Sequence, residues 1–404
     1  MQRLHMPEWV STTAVADRNP YWKFELKDSL RLETWSSTLQ PIVQKILNDK
    51  TLNVDDGVAL FNEPNLFELG KLALLHKQSM FGQRAYFNSN VHVNQTNICV
   101  LACRFCAFRR GKRADDAYAL SIENYLEELS KFSPYVNEVH SVGGLHPDWD
   151  VDHYAQLFES IRSEFPHLSI KALTAVEIKH LSKLSNLSIR DTLIRLKRAG
   201  LTSLPGGGAE ILDDSIRAVI CNGKESSKEY LDIHKTAHEI GLPSNCTMLF
   251  GTIESAAQRV GHILKLRDLA AQTNGFQCFV PYPFLPDSSR LPMAQLSTGQ
   301  EILRVIAVSR ILLDTIPHIK AYRMNIGDEL AELALQFGAD DIDGTVQQES
   351  IMHLAGSTAP LSHDLQQLSK LVRNAGCVPI KRNTTYTSFE EYNPPKTIKR
   401  LPMA

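Results

Sequence analysis

Apolar positions along this chain recur with two different periods. Short runs rich in β-branched residues alternate with longer stretches in which apolar side chains return every three or four positions, as on one face of a helix. Residues 26–79 read as helical, with candidate helices near 33–48 and 66–79. FNSNVHVNQ (87–95), NEVHSVGG (137–144), LSIKALTA (168–175), SNCTMLFG (244–251), GFQCFVPYPF (275–284) and HIKAYRMN (318–325) read as strands, another is placed near 204, and ADDIDGTV (339–346) holds the last short one. Between them, SIENYLEELSKF (121–132) has helical spacing with Ser121 as N-cap. YAQLFESIRSEF (154–165), SIRDTLIRLKRAGL (188–201) with its glycine stop, 254–272, 298–316 and GDELAELALQFG (327–338) are further helices.

Regular strand–helix alternation implies parallel strands joined by crossover helices. Strands near 90, 140, 170, 204, 246, 278, 320 and 342 predict a (β/α)8 TIM-type barrel, with a doubly wound open sheet as the alternative. The expected organisation is an N-terminal helical extension over 1–80, the barrel over 81–380, and a polar, proline-containing tail over 381–404 packed on the barrel surface.

Composition narrows the function classes. A formal net charge of −2 and a pI near 6.7 argue against an electrostatic nucleic-acid binder. No apolar run is long enough to span a bilayer and the first residues lack a secretory core, so no membrane association and a cytoplasmic location are expected. The seven cysteines are unevenly placed. Three fall between Cys99 and Cys106, whereas Cys221, Cys246, Cys278 and Cys377 are scattered, which favours a metal centre plus buried free thiols over a disulfide framework.

NQTNICVLACRFCAFRR (94–110) contains Cys-x3-Cys-x2-Cys, formed by Cys99, Cys103 and Cys106, with Phe105 before the third. Thiolates are soft ligands that suit iron–sulfur clusters or zinc. Three of them can hold three corners of a [4Fe–4S] cube and leave the fourth iron open. A zinc site would need a ligand from elsewhere, because no second cysteine pair follows, and a chance cluster of buried thiols is the remaining alternative. Gly143 and Gly144 close the second predicted strand, where backbone can approach a ligand without a Cβ.

Cys-x3-Cys-x-aromatic-Cys resembles the signature of the radical S-adenosylmethionine superfamily. Further segments narrow it: the approach FNSNVHVNQTNIC, SVGGLHPDW (141–149), KALTAVEI (171–178), LTSLPGGGAEIL (201–212) and ADDIDGTVQQESIMHLAG (339–356) are similar to the menaquinone-pathway branch that includes aminofutalosine synthase. The cyclic dehypoxanthine futalosine synthase and the deazaflavin (FO) synthase subunits are close alternatives in that branch. The resemblance implies a barrel of the radical SAM kind, a [4Fe–4S] cluster on Cys99, Cys103 and Cys106, and S-adenosylmethionine as co-substrate against Phe105, Gly143 and Gly144. It implies addition of a 5′-deoxyadenosyl group to 3-[(1-carboxyvinyl)oxy]benzoate, with flavodoxin or ferredoxin as electron donor.

A substrate with two carboxylates needs fixed donors. Arg323, placed on a late strand at the barrel mouth, suits bidentate carboxylate capture. His146, two residues past the glycine pair, suits carboxylate binding or proton transfer, and Glu177 either meets the cofactor or substrate or faces a helix dipole. A surface ion pair for Arg323 and a structural role for His146 are the competing readings. Asp343 and Glu349 near the last strand are further site candidates, with solvated carboxylates as the competing reading; Gly206, Gly207 and Gly208 read as a close-approach turn followed by Glu210, and Asn94 and Asn97 as partners for the cysteine loop's backbone.

Overall fold

Most strands form where the β-branched runs lie, and they pair in parallel around a ring. The computed structural model describes residues 17–287 and 289–394. The strands are β1 (Arg84–Phe87), β2 (Asn90–His92), β3 (Glu138–Ser141), β4 (Ser169–Ala172), β5 (Leu201–Ser203), β6 (Ser244–Phe250), β7 (Phe276–Pro283), β8 (His318–Ala321), β9 (Asp341–Ile342), β10 (Val378–Arg382) and β11 (Phe389–Glu391). One sheet runs β2-β3-β4-β5 and the other β11-β10-β1-β9-β8-β7-β6.

Two seams close the ring. A parallel bridge joins Leu204 to Ser244 between β5 and β6. On the other side the His92 amide donates to Val346 O at 3.0 Å, just beyond β9. β1 and β2 are thus two halves of one bent strand, and the ring has eight strand positions, as the alternation implies. Inward- and outward-pointing residues alternate, so the strands bury both faces. β4 and β8 both read x-Ile-Lys-Ala, and Ile170, Lys171, Ile319 and Lys320 are all buried.

The crossover helices follow their sequence signals. Ser121 caps Ile122–Ser130 by accepting from the Asn124 amide, and Ile189–Ala199 stops at Gly200, whose φ is 132°. The helical reading of 26–79 resolves into Trp22–Ser29, Gln40–Leu47, Val54–Phe61 and Leu66–Phe81. The predicted helix near 33–48 begins only at Gln40, preceded by a short 3-10 turn at Leu32–Thr34. Pro41 fits the first turn of a helix but disfavours helical backbone immediately before it. These N-terminal helices cover the barrel's outer helices, with Gly57 tight against Val260 and Gly70 against Phe337.

The C-terminal segment departs from the expected surface tail. Val378–Arg382 is a strand, so the boundary set at 380 cuts through it. β10 pairs in parallel with β1 and antiparallel with β11. Arg382, Thr384 and Tyr386 are buried, because a polar segment can enter the interior where its charges meet partners. The last ten residues of the expected tail, and residues 1–16 of the expected extension, lie outside the described residues. No helix among the described residues is long and apolar enough to cross a membrane.

Candidate active site

A cavity of about 290 Å³ opens at the C-terminal ends of the strands, where barrel folds build their sites. Cys99, Cys103 and Cys106 all line it, together with Phe105, Gly143 and Gly144. The cysteine loop is fixed from both sides. The Cys99 amide donates to Arg110 O at 3.0 Å, that of Val100 to Leu145 O at 3.1 Å and that of Arg104 to Ile220 O at 2.8 Å. Asn97 accepts from the Tyr118 amide and donates to Asp116 O, and Asn94 donates to Val142 O, so both asparagines hold backbone around the loop.

All three thiols are free, as are Cys221, Cys246, Cys278 and Cys377, which are buried. Burial pushes the Cys103 thiol up to about 12 and also raises Cys106, while Lys224 near Cys103 and the Phe108 and Arg109 amides at Cys106 favour the thiolate. Among the described residues no set of three or more His, Cys, Asp or Glu is arranged to hold a single metal ion. A cube makes no such demand, since each thiolate takes its own iron.

A model of the radical SAM superfamily matches residues 93–266, which include this loop, and a model of the CofH/MqnC C-terminal region matches residues 273–395. Aminodeoxyfutalosine synthase of Thermus thermophilus is 38% identical over 353 residues, covering 86% of this chain and 95% of that protein. The Streptomyces coelicolor enzyme of the same name is 39% identical over 370 residues, covering 88% and 95%. Cyclic dehypoxanthine futalosine synthase of Streptomyces coelicolor is 32% identical over 367 residues, covering 90% and 92%. The chain belongs to the radical S-adenosylmethionine superfamily.

Two solved structures share its fold. Methylornithine synthase (PylB) superposes with a TM-score of 0.66 at 18% identity, covering 83% of this chain and 96% of that one. The FeFe-hydrogenase maturase HydG of Carboxydothermus hydrogenoformans gives 0.67 at 15% identity, covering 91% and 84%. Membership implies a [4Fe–4S] cluster and S-adenosylmethionine. Three soft, undisulfided donors in one pinned loop suit such a cluster, and Cys99, Cys103 and Cys106 are the residues that could hold it.

Gly143 and Gly144 line the cavity, but the structure supplies a reason for glycine within the protein itself. A Cβ on Gly144 would overlap the Ile98 carbonyl, and one on Gly143 would lie 2.8 Å from Thr96 O. The glycine turn therefore packs flat on the stem of the cysteine loop, and the Gly144 amide donates to Thr96 O at 2.8 Å. Glu177 holds that turn from behind. It caps the helix Ala175–Leu184 through Thr174, and Oε1 accepts from the Gly143 amide and from Gln95 Nε2, each at 3.1 Å. Burial pushes Glu177 up to about 7, against the hydrogen bonds from Thr174, Gly143 and Gln95 that favour its charge. It is not among the residues lining the cavity, so its position is that of a support for the glycine turn.

Two other expectations are corrected. Arg323 is not on a strand: β8 ends at Ala321 and Arg323 opens the helical turn Arg323–Ile326. Its guanidinium is fully buried behind the cavity wall, 3.4 Å from Asp343 and 3.3 Å from Asp328, and donates to Pro360 O, so it is spent on internal acids. His146 is turned away from the cavity and stacks on Trp149 with ring centroids 4.4 Å apart, and its Nδ1 accepts from the Asp148 amide. Burial lowers its proton affinity there, the opposite of what an anion-binding imidazolium needs. Conversely, Asp343 and Glu349 are buried and line the cavity, where burial raises both.

Several cavity residues lie outside the sequence expectation. Lys224 donates to Glu210 at 2.6 Å and sits 5.5 Å from the Phe105 ring centroid; burial opposes its charge, but Glu210 and Glu225 hold it protonated. Deeper in the lumen are His92, Glu138, His140, Lys171, Lys320 and Arg382. Lys320 and Arg382 both pair with Asp341, which also accepts from the Tyr386 hydroxyl at 2.8 Å. Against its burial, these two cations hold Asp341 far below the usual carboxylate range. The usable signal was a lysine between Ile and Ala in each of two buried strands, SIKA and HIKA.

Proposed function

We propose that this chain is an aminofutalosine synthase, joining the 5′-deoxyadenosyl group of S-adenosylmethionine to 3-[(1-carboxyvinyl)oxy]benzoate with loss of CO2 to give 6-amino-6-deoxyfutalosine. The observation that carries this reading is 38–39% identity to two aminodeoxyfutalosine synthases across 95% of each, against 32% to the cyclase. In this reading Cys99, Cys103 and Cys106 hold the [4Fe–4S] cluster. When bound, the cluster and S-adenosylmethionine supply a 5′-deoxyadenosyl radical.

The chain's own residues supply binding, orientation and exclusion of water. The Gly143–Gly144 backbone, held by Glu177, and the Phe105 ring form the wall beside the cysteines. Lys224, kept charged by Glu210, puts a positive charge next to Cys103, where it favours anionic ligands. Val142, Val176, Val280, Ile351 and Met352 add apolar surface to the wall, which limits side reactions of a radical with water-borne groups. Arg323 acts from behind by holding Asp343, and the proposed part of His146 is to brace the turn after Gly144 through its Trp149 stack. A cytoplasmic setting and a flavodoxin or ferredoxin donor belong to the same proposal.

Anaerobic reconstitution tests it. The loaded, reduced enzyme is expected to bind four irons and four sulfides and to convert the enolpyruvyl benzoate into a product with the mass of aminofutalosine. Turnover of dehypoxanthine futalosine instead, with no such adduct, assigns the chain to the cyclase.

A further inference from the structure

Among the described residues, two cations that line the cavity make no side-chain hydrogen bond, Arg109 beside the cysteine loop and Lys171 within the barrel. Lys171 on β4 lies in register with His140 on β3, which is in register with His92 on β2, so the three form one layer of the barrel lumen. Its side chain is 4% exposed, yet its Nζ makes no hydrogen bond among the described residues, and the nearest acid, Glu138, stands 3.9 Å away. The neighbouring cations are already committed. Lys320 donates to Asp341 and to Ile342 O at 2.8 Å, and Arg382 donates to Asp341 at 2.6 Å.

Three cations therefore share this layer and the one beneath it with two carboxylates, Glu138 and Asp341. A buried ammonium without hydrogen bonds is costly, and the cost is removed by an anion entering from the open side. That open side is the cavity, which Lys171 lines.

We propose that Lys171 anchors the ring carboxylate of the substrate, in the positive field of Lys320 and Arg382. This inference rests on the aminofutalosine synthase reading, which supplies an aryl carboxylate. The cysteine loop lies beyond the end of β2, whereas Lys171 lies within β4. A carboxylate seated at the floor leaves the enol-ether end of the same molecule pointing toward the cysteines. The anchor thereby selects for an acidic group on the ring and sets how far the double bond stands from the rim.

The test compares 3-[(1-carboxyvinyl)oxy]benzoate with 2-phenoxyprop-2-enoate, which lacks the ring carboxylate, in reconstituted wild type, K171M and K171M/E138Q. The double variant leaves Glu138 neutral, so it reports on the anchor even if K171M misfolds by stranding that acid. Circular dichroism and iron content check folding and loading. Wild type should prefer the full substrate in kcat/KM by ~30-fold or more, and the double variant should lose that preference mainly through KM. A folded, loaded double variant that keeps the preference, or a wild type without one, overturns the anchor. Calorimetric titration with 3-hydroxybenzoate needs no turnover: binding by wild type and not by the double variant supports Lys171 even if no aminofutalosine forms, and equal binding overturns it.

Discussion

The rim and the floor of this cavity are built on opposite plans. The rim is local: Cys99, Cys103, Phe105 and Cys106 come from one loop, pinned by Asn97, Arg110 and the Gly143–Gly144 turn. The floor is assembled from β2, β3, β4, β8, β9 and β10, with residues drawn from His92 to Arg382. The three rim thiols form no disulfide with one another or with the other cysteines. On the floor Asp341 takes Lys320, Arg382 and Tyr386 together, while Lys171 keeps its hydrogen bonds unmade among the described residues. A site that must take up an external group keeps its donors free, and a site that must hold its shape closes its charges on themselves.

The largest test of this division is C106A. It should remove aminofutalosine formation, a loss of about 10³-fold or more, and lower the iron content, while leaving the unfolding midpoint of the unloaded protein little changed. Retained turnover would break the assignment of the rim. D341N should do the reverse. It strands Lys320 and Arg382 in the interior and is expected to cost about 3–5 kcal/mol in denaturant unfolding. A D341N protein with an unchanged midpoint would show that the floor is not held by this acid.

Glu177, behind the rim, sharpens the comparison through pH. Burial raises it from 4.5 to about 7, so the folded state binds more protons than the unfolded chain within that window. Stability should therefore fall as pH climbs from about 4.5 to 7, and E177Q should flatten that slope, a span of about 1–3 kcal/mol in urea titrations. An unaltered slope in E177Q would place the titration elsewhere. S121A, which removes an N-cap remote from both regions, should cost only about 1 kcal/mol and leave kcat/KM alone.

The same contrast explains what the sequence revealed. Spacing displays a local loop directly, so the cysteine motif and the glycine turn beside it were legible before any fold was known. The strand–helix rhythm was legible too, because burial of both strand faces leaves runs that composition alone marks. The floor was not, since a lysine within a strand carries no sign of what faces it across the lumen. Arg323 and His146 misled for a related reason. Each falls near a strand end, yet side-chain direction depends on the turn that follows, and Asp343 and Trp149 draw them away from the cavity. The stretch after 380 looked solvated because its charges are numerous, although Arg382 and Tyr386 are buried on Asp341.

The pairing of β10 with β1 also has a temporal side. As the ribosome extends the chain, the cysteine loop emerges long before Val378–Arg382 exists, and β1 must wait for a neighbour from far along the chain. Until then Asp341 has lost one of its two cations and the lumen is open beneath. A chain cut short after residue 376 would keep all three thiols of the rim but lack Arg382 and the strand that carries it, a vessel with its lip intact and its base missing.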